Sequence, residues 1–452
     1  MLPTISSMEV VKIEEYLNLW YRSWNFDMFN FAELTNGHPL LYSGVHLLEN
    51  NEALQCLQLN PQTFRHWLLL MESQYHSHPY HNAAHAADVL HAINQLLLDD
   101  QLKTQYTPIE AFALMLGAIG HDIDHPGYNN AFLVKSRHPW AILYCDTSVL
   151  ELHHCAHLFT MTLGSQCDIF AEFCAEEYDE IRKLVIKLIL ATDMGKHFEY
   201  INKFKSRIST GTLTFGMELN PDNKVAVAEI AMKCSDLCNP TKIFPLSKKW
   251  TDAVMEEFYL QGDRERELGL PVSQFMDRNN TNVPKCQIGF IDFLVAPLFD
   301  SWNTFRNHDD KTTRLIVELG KNRGSWAALA AHHTPQSSVF GQSQSRFTAS
   351  RQQLPSTPSI PNPPSMQGSG SINQADLPPQ RSNILGLGSK RNSVVVDIPT
   401  GIPSMSRAGS QFASLARRMS SFELLTSRSE GIKDNGPLLI EPTDVKVGGD
   451  AV

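Results

Sequence analysis

With 452 residues, 42% of them apolar, the chain has enough nonpolar surface to bury a large core. A net charge of −10 argues against general nucleic-acid binding, which needs a basic surface to neutralise phosphates. The eight cysteines are scattered, with no CxxC pair or short disulfide framework, and no run reaches the ~18 uninterrupted apolar residues of a membrane-spanning helix; both features fit a soluble cytosolic protein with reduced thiols.

In chain order the predicted elements are all helical. Residues 64–75 and 86–98 carry i, i+3, i+4 apolar spacing, and Pro108 starts a third helix that runs through Ile109 to Ile119. Pro126-Gly127 is expected to end that helix, leaving His121, Asp122 and His125 at its C-terminal edge. Helices follow over 180–191, 225–237 with Asn239-Pro240 as the stop, 246–261 and 288–302. No convincing strand run or fixed-period repeat interrupts them. Beyond Thr334 the composition turns to Ser, Pro, Gln and Gly and holds 12 of the 25 prolines, too little apolar surface to offset ordering entropy. The sequence therefore predicts a compact all-α domain over 1–333 and a disordered tail over 334–452.

Polar groups punctuate the helical runs. His81 and His85 are four residues apart, as are His121 and His125, with Asp122 between the latter pair; in helices each pair would share a face. Either pair alone is an ordinary coincidence. Together they sit with Glu151-Leu152-His153-His154, Thr192-Asp193-Met194 and Asp236, and burying so many ionisable groups costs several kcal/mol apiece, on the order of, unless metal or mutual hydrogen bonds compensate. Imidazole with carboxylate suits zinc, carboxylates with water suit magnesium or manganese, and a mixed cluster suits one of each. Two-metal phosphoester hydrolysis is the natural chemistry of such a set.

The motif His81-Asn82-x-x-His85-Ala86-x-Asp88-Val89, with His121-Asp122-x-x-His125-x-x-x-x-Asn130, resembles the signature of class I cyclic nucleotide phosphodiesterases. The resemblance runs from about Trp24 to Phe305. Trp24-Asn25-Phe26-Asp27-Met28-Phe29, Leu34-Thr35-Asn36-Gly37, Cys238-Asn239-Pro240 and Gln287-Ile288-Gly289-Phe290 look most like the cAMP-specific type-seven branch, with types four and eight less close. By that resemblance the catalytic domain is helical. A zinc ion is held by His85, His121, Asp122 and Asp236, and Asp122 bridges to magnesium or manganese, whose waters are fixed by His125, Glu151 and Asp193. A hydroxide between the metals attacks the cyclic phosphorus, His81 protonates the ribose 3′ oxygen as general acid, and Glu151 orients it. His153 and His154 are given no metal bond.

By the same resemblance the Gln287 amide would both donate and accept at an adenine edge, with Phe290 and Val254, whose other reading is ordinary core packing, as a clamp, Asn239 as a further polar contact, and Tyr80 and Met194 lining the pocket. Phe275-Met276 stands where several relatives carry other apolar residues, and Phe275 is placed in the pocket wall. The same glutamine faces either purine by flipping, so preference for cAMP follows from the branch resemblance. In the tail, Lys390-Arg391-Asn392-Ser393 and Arg417-Arg418-Met419-Ser420 resemble sites for cAMP-dependent protein kinase. Two rivals are another HD-type phosphohydrolase, which lacks the Gln287–Phe290 clamp and the His81 acid, and an inactive scaffold acting through the tail.

Overall fold

Proline in the first helical turn, just after a polar cap, starts several of the helices. Asn60 accepts from Gln62 and Thr63 amides ahead of Pro61–Ser73, Asn220 accepts from the Asn223 amide ahead of Pro221–Asp236, and Thr107 with Glu110 forms a reciprocal capping box on Pro108–Gly120. The computed structural model describes residues 7–97 and 102–332, and among these there are helices and turns but no strand. The expected tail, with Ser393 and Ser420, lies outside the described residues.

Four helices form a closed ring around the core. Ala83–Leu97 packs on Pro108–Gly120, which packs on Ala175–Ala191, which packs on Pro221–Asp236, which returns to Ala83–Leu97. Burial follows the apolar faces read from the sequence: Val89, Leu90, Ile93, Phe112, Leu116, Leu188, Val227 and Ile230 are all sealed from solvent. Around the ring, Phe244–Glu267 supplies one flank, and Asp310–His332 packs across Val283–Phe290 and Ala296–Phe305.

Two expectations change. The helix begun at Pro108 stops at Gly120, six residues before Pro126, because the chain enters tight turns at 121–124 and Asp124 takes a left-handed backbone (φ 59°). The 288–302 segment is not one regular helix: Val283–Phe290 runs into a π-helical turn, Ile291–Val295, before Ala296–Phe305 resumes α geometry. Such widened turns are common beside functional sites.

A buried ion pair locks the ring to its flank. Asp88 accepts from the Lys242 ammonium with both side chains sealed from solvent, and Asn322, on Asp310–His332, donates to the carbonyls of Pro240 (2.8 Å) and Lys242. Asp88→Ala leaves Lys242 charged and unpaired and is expected to cost about 3 to 5 kcal/mol, read as a lower urea midpoint. His91 lies beside this pair and donates to the Trp20 carbonyl at 2.9 Å. Burial, then the Lys242 charge, pushes its pKa down to about 4. The unfolded chain, with an ordinary histidine near 6.5, thus binds the proton first, so His91 favours the fold above that value and this contribution is lost as pH falls toward about 4. Urea titrations across that window should show a shallower acid slope for His91→Gln than for the parent chain.

Candidate active site

Three of the ring helices end, and one begins, at the same place. His121 caps the end of Pro108–Gly120, Asp236 is the last residue of Pro221–Asp236, Asp193 follows the end of Ala175–Ala191, and His85 lies in the first turn of Ala83–Leu97. Three carbonyl-rich helix ends give this volume partial negative charge, which favours a cation. One carbonyl is already served: the buried Lys233 ammonium donates to Ala191 O at 2.9 Å.

Within it, His85, His121, Asp122 and Asp236 bring one donor atom each to a common point. His85 Nε2 lies 3.2 Å from His121 Nε2, 3.4 Å from Asp122 Oδ2 and 3.2 Å from Asp236 Oδ1; His121 Nε2 lies 3.1 Å from Asp122 Oδ2 and 3.6 Å from Asp236 Oδ1. A tetrahedron of nitrogen and oxygen ligands at zinc bond lengths has edges of about 3.3 Å. His121 Nδ1 donates to Ala118 O at 2.9 Å, which leaves Nε2 as a lone-pair donor facing the cluster. The four residues therefore fit a divalent metal in spacing, tautomer and donor chemistry.

The four histidines converge in pairs, but not the pairs expected from helical spacing. His81 precedes the first residue of Ala83–Leu97 and His125 lies beyond the turns after Gly120, so neither i, i+4 pair shares a helix face. His85 meets His121 instead, while His81 stacks on His125 with ring centroids 3.9 Å apart. Glu257 grips this second pair. Its Oε2 accepts from the Tyr80 and His81 amides at 3.0 and 2.9 Å, and its Oε1 binds His81 Nδ1. Burial alone would depress His81, but the charge and hydrogen bond of Glu257 outweigh it and hold its pKa up at about 9. His81 Nε2 is left facing the metal cluster, 4.0 Å from Asp122 Oδ2.

The expected orienter of His81, Glu151, is not the residue that binds it. Glu151 is buried and accepts from Asn130 Nδ2 at 3.0 and 3.3 Å, and burial with the nearby Asp193 charge pushes its pKa up to about 7. Asp193 accepts from Ser148 Oγ and the Gly195 amide, each at 2.7 Å, and His125 Nδ1 accepts from the Gly127 amide. His153 and His154 stay out of the cluster, bound to Asp124 and to Ile123 O.

Two of the residues expected to bind a nucleotide, Tyr80 and Asn239, meet directly. Asn239 Nδ2 donates to Tyr80 OH at 2.7 Å, and Trp24 Nε1 and Asn25 Oδ1 brace the same segment through Thr241 Oγ1 and the Ile243 amide, so two sequence motifs far apart in the chain touch. Gln287 is buried, yet its amide has no protein hydrogen-bond partner among the described residues. Val254, Phe290 and Met194 are half-buried. Phe275 has a left-handed backbone (φ 70°), uncommon for a bulky residue. Its loop is tied down by Glu265, which accepts from Ser273 Oγ at 2.6 Å, and Gln261 Oε1 accepts from the Asn129 amide at 2.9 Å. Between those two residues, Gly262 lies so close that a Cβ there would overlap the Met276 carbonyl oxygen.

Residues 80–315 match the family model described as 3′5′-cyclic nucleotide phosphodiesterase, just over half of the chain and every residue of the two histidine clusters. The chain belongs to that family. A human high affinity cAMP-specific and IBMX-insensitive 3′,5′-cyclic phosphodiesterase 8A is 36% identical over 68% of the chain, a Drosophila melanogaster 3′,5′-cyclic-AMP phosphodiesterase, isoform F, 36% over 70%, and a rat 3′,5′-cyclic-AMP phosphodiesterase 4C 38% over 66%. The matches span 38%, 48% and 56% of those relatives' own lengths. Among solved structures, that of LmjPDEB1 in complex with IBMX superposes with a TM-score of 0.64 at 28% identity, covering 73% of this chain and 99% of that one.

Glu257, Ser148 and Gly262 escaped the sequence reading. Glu257 stands in Phe244–Glu267, a helix so rich in exposed charges that one more glutamate reads as solvated surface; the signal available was its place on the same face as the buried Trp250 and Gln261. Gly262→Ala must push the Phe275-Met276 loop off the helix. Limited proteolysis should cut the 268–282 segment several-fold faster in that variant.

Proposed function

We propose that this phosphodiesterase-family chain hydrolyses 3′,5′-cyclic AMP to 5′-AMP and so terminates cAMP signalling. The observation that carries the reading is the pairing of a metal-fit cluster with an imidazole, His81, held by Glu257 with its free nitrogen turned toward that cluster. The cAMP-specific and cyclic-AMP names of the relatives support the substrate, as does the uncommitted Gln287 amide, which offers both a donor and an acceptor to an adenine edge.

His85, His121, Asp122 and Asp236 would hold zinc, with Asp122 shared with magnesium or manganese in a site completed by water. Such cations supply Lewis acidity that makes water a nucleophile at neutral pH and offsets phosphate charge. The protein's own residues do the rest. His125, Glu151 and Asp193 hold and orient water beside the cluster. Water gives up a proton to solvent as it adds to phosphorus, the P–O3′ bond breaks, and the 3′ oxygen takes the proton from His81 Nε2, while the Nδ1–Glu257 hydrogen bond keeps the ring's orientation. Tyr80, Met194, Asn239, Val254, Phe275 and Phe290 enclose the nucleoside, and Phe290 with Val254 brackets the purine plane.

Within the family, the resemblance of the Trp24–Phe29, Leu34–Gly37, Cys238–Pro240 and Gln287–Phe290 motifs supports the type-seven cAMP branch. The catalytic unit is 1–333. The tail, 334–452, is regulatory, with Ser393 and Ser420 as targets of cAMP-dependent kinase in negative feedback. A cytosolic setting fits eight cysteines that are all unpaired and the absence, among the described residues, of any helix long and apolar enough to cross a membrane.

The test is hydrolysis of cAMP and cGMP by the full chain with magnesium, beside three variants. Rapid 5′-AMP formation with little 5′-GMP is expected. His81→Ala should lower kcat by roughly 10² to 10⁴, Asp236→Ala should abolish turnover with loss of bound metal, and Glu257→Gln should lower kcat by on the order of 10² with little change in metal content. No turnover of either nucleotide by a folded, metal-loaded chain would overturn the reading in favour of a scaffold or another phosphoester.

A further inference from the structure

A third group of ligand atoms lies outside both histidine clusters of the active site. Asp124, His153 and His157 bring Asp124 Oδ2, His153 Nε2 and His157 Nδ1 within 4.8 Å of one another at the protein surface. His153 and His157 are a true i, i+4 pair on the Val149–Leu163 helix, so their rings share one face. His153 Nε2 lies 2.8 Å and His157 Nδ1 3.6 Å from the same carboxylate oxygen, bracketing the edge of about 3.3 Å in a tetrahedral zinc site.

Each side chain is held in place from behind. The His153 ring stacks flat on Trp140 with centroids 3.5 Å apart. Asp124 turns the other carboxylate oxygen to His76 Nε2 at 2.7 Å, and its amide donates to Gln74 O at 3.2 Å. His157 Nε2 pairs with Gln74 Oε1 at 3.1 Å, and Gln74 Nε2 donates to Ser73 Oγ, which fixes the amide so that the oxygen faces the histidine.

That last contact decides the chemistry. Because Gln74 Oε1 accepts, His157 carries its proton on Nε2. Nδ1 is then a lone pair aimed at a carboxylate oxygen that is also an acceptor. Two acceptors facing each other across 3.6 Å lack a positive centre between them, while the outer bonds to Gln74 and His76 supply the supporting contacts that commonly orient metal ligands.

We propose that Asp124, His153 and His157 form a peripheral site for zinc, three protein ligands with the fourth position open to water, braced by His76 and Gln74. The donor set, two imidazoles and one carboxylate, selects zinc over magnesium, which favours oxygen and retains its water. A cation there joins the Val149–Leu163 helix to the turn that carries His121 and Asp122. It therefore binds apart from the nucleotide site and stiffens the chain beneath it.

Equilibrium dialysis of the full chain against zinc chloride, in excess magnesium and after chelator treatment, tests this by counting bound zinc per chain. His157→Gln, which leaves the active-site residues in place, should bind one zinc fewer than the parent and lose part of the zinc-induced rise in thermal midpoint. In the parent chain, zinc should also slow acylation of His153 and His157 by diethyl pyrocarbonate, mapped by mass spectrometry. Equal zinc content in parent and variant, or acylation of both histidines unchanged by zinc, overturns the site. The second readout needs no variant and stands whatever the substrate of the active centre proves to be.

Discussion

Two imidazole nitrogens 3.2 Å apart, two carboxylate oxygens against them and three helix C-termini behind them crowd acceptors and partial negative charge into one small volume. Side chains alone balance such a volume poorly, because His121 has committed its proton to Ala118 O. The architecture of the ring follows from it. Three of the four ring helices bring cluster residues to one end of the core at their termini, and the buried Lys233 serves the last carbonyl of the fourth, which contributes none. A positive ion at the centre completes an electrostatic pattern that the backbone itself has laid out.

The second histidine pair shows a different economy. His81 and His125 lie outside regular helix; His81 is fixed by one buried carboxylate on a distant helix, and His125 stacks on it while its own amide donates to Asp122 O at 3.1 Å. Glu257 spends both oxygens on this: one on consecutive amides, one on the ring. Gln287 is treated in the opposite way. It is buried but its side-chain amide is left without a protein partner among the described residues.

Helices were legible where local chemistry defines them. Proline after threonine marked the start at 108 and apolar spacing marked the buried faces, while the starts at Pro61 and Pro221 lie three and four residues ahead of the apolar spacing that was read there. Ends were less legible: the stop after Gly120 comes from tight turns and a left-handed Asp124, which no proline or glycine at that position announces. The identities of the clustered polar residues were readable, but helical spacing mispaired the histidines, since whether His81 is in or just before a helix turns on two residues. Glu257 was hidden because its contribution depends on a partner 176 positions away, a relation local pattern does not encode. The π-helical turn after Phe290 likewise has no mark in a run that reads as continuous apolar helix.

The absent side chain at residue 262 has an implication for how such pockets diversify. The Phe275-Met276 loop rests backbone to backbone on the Phe244–Glu267 helix, and Glu265 fastens it through Ser273. The side chains at 275 and 276 do not set the distance between loop and helix. They can be exchanged while the loop keeps its place on the helix, because backbone contact and the Glu265–Ser273 tie hold that spacing.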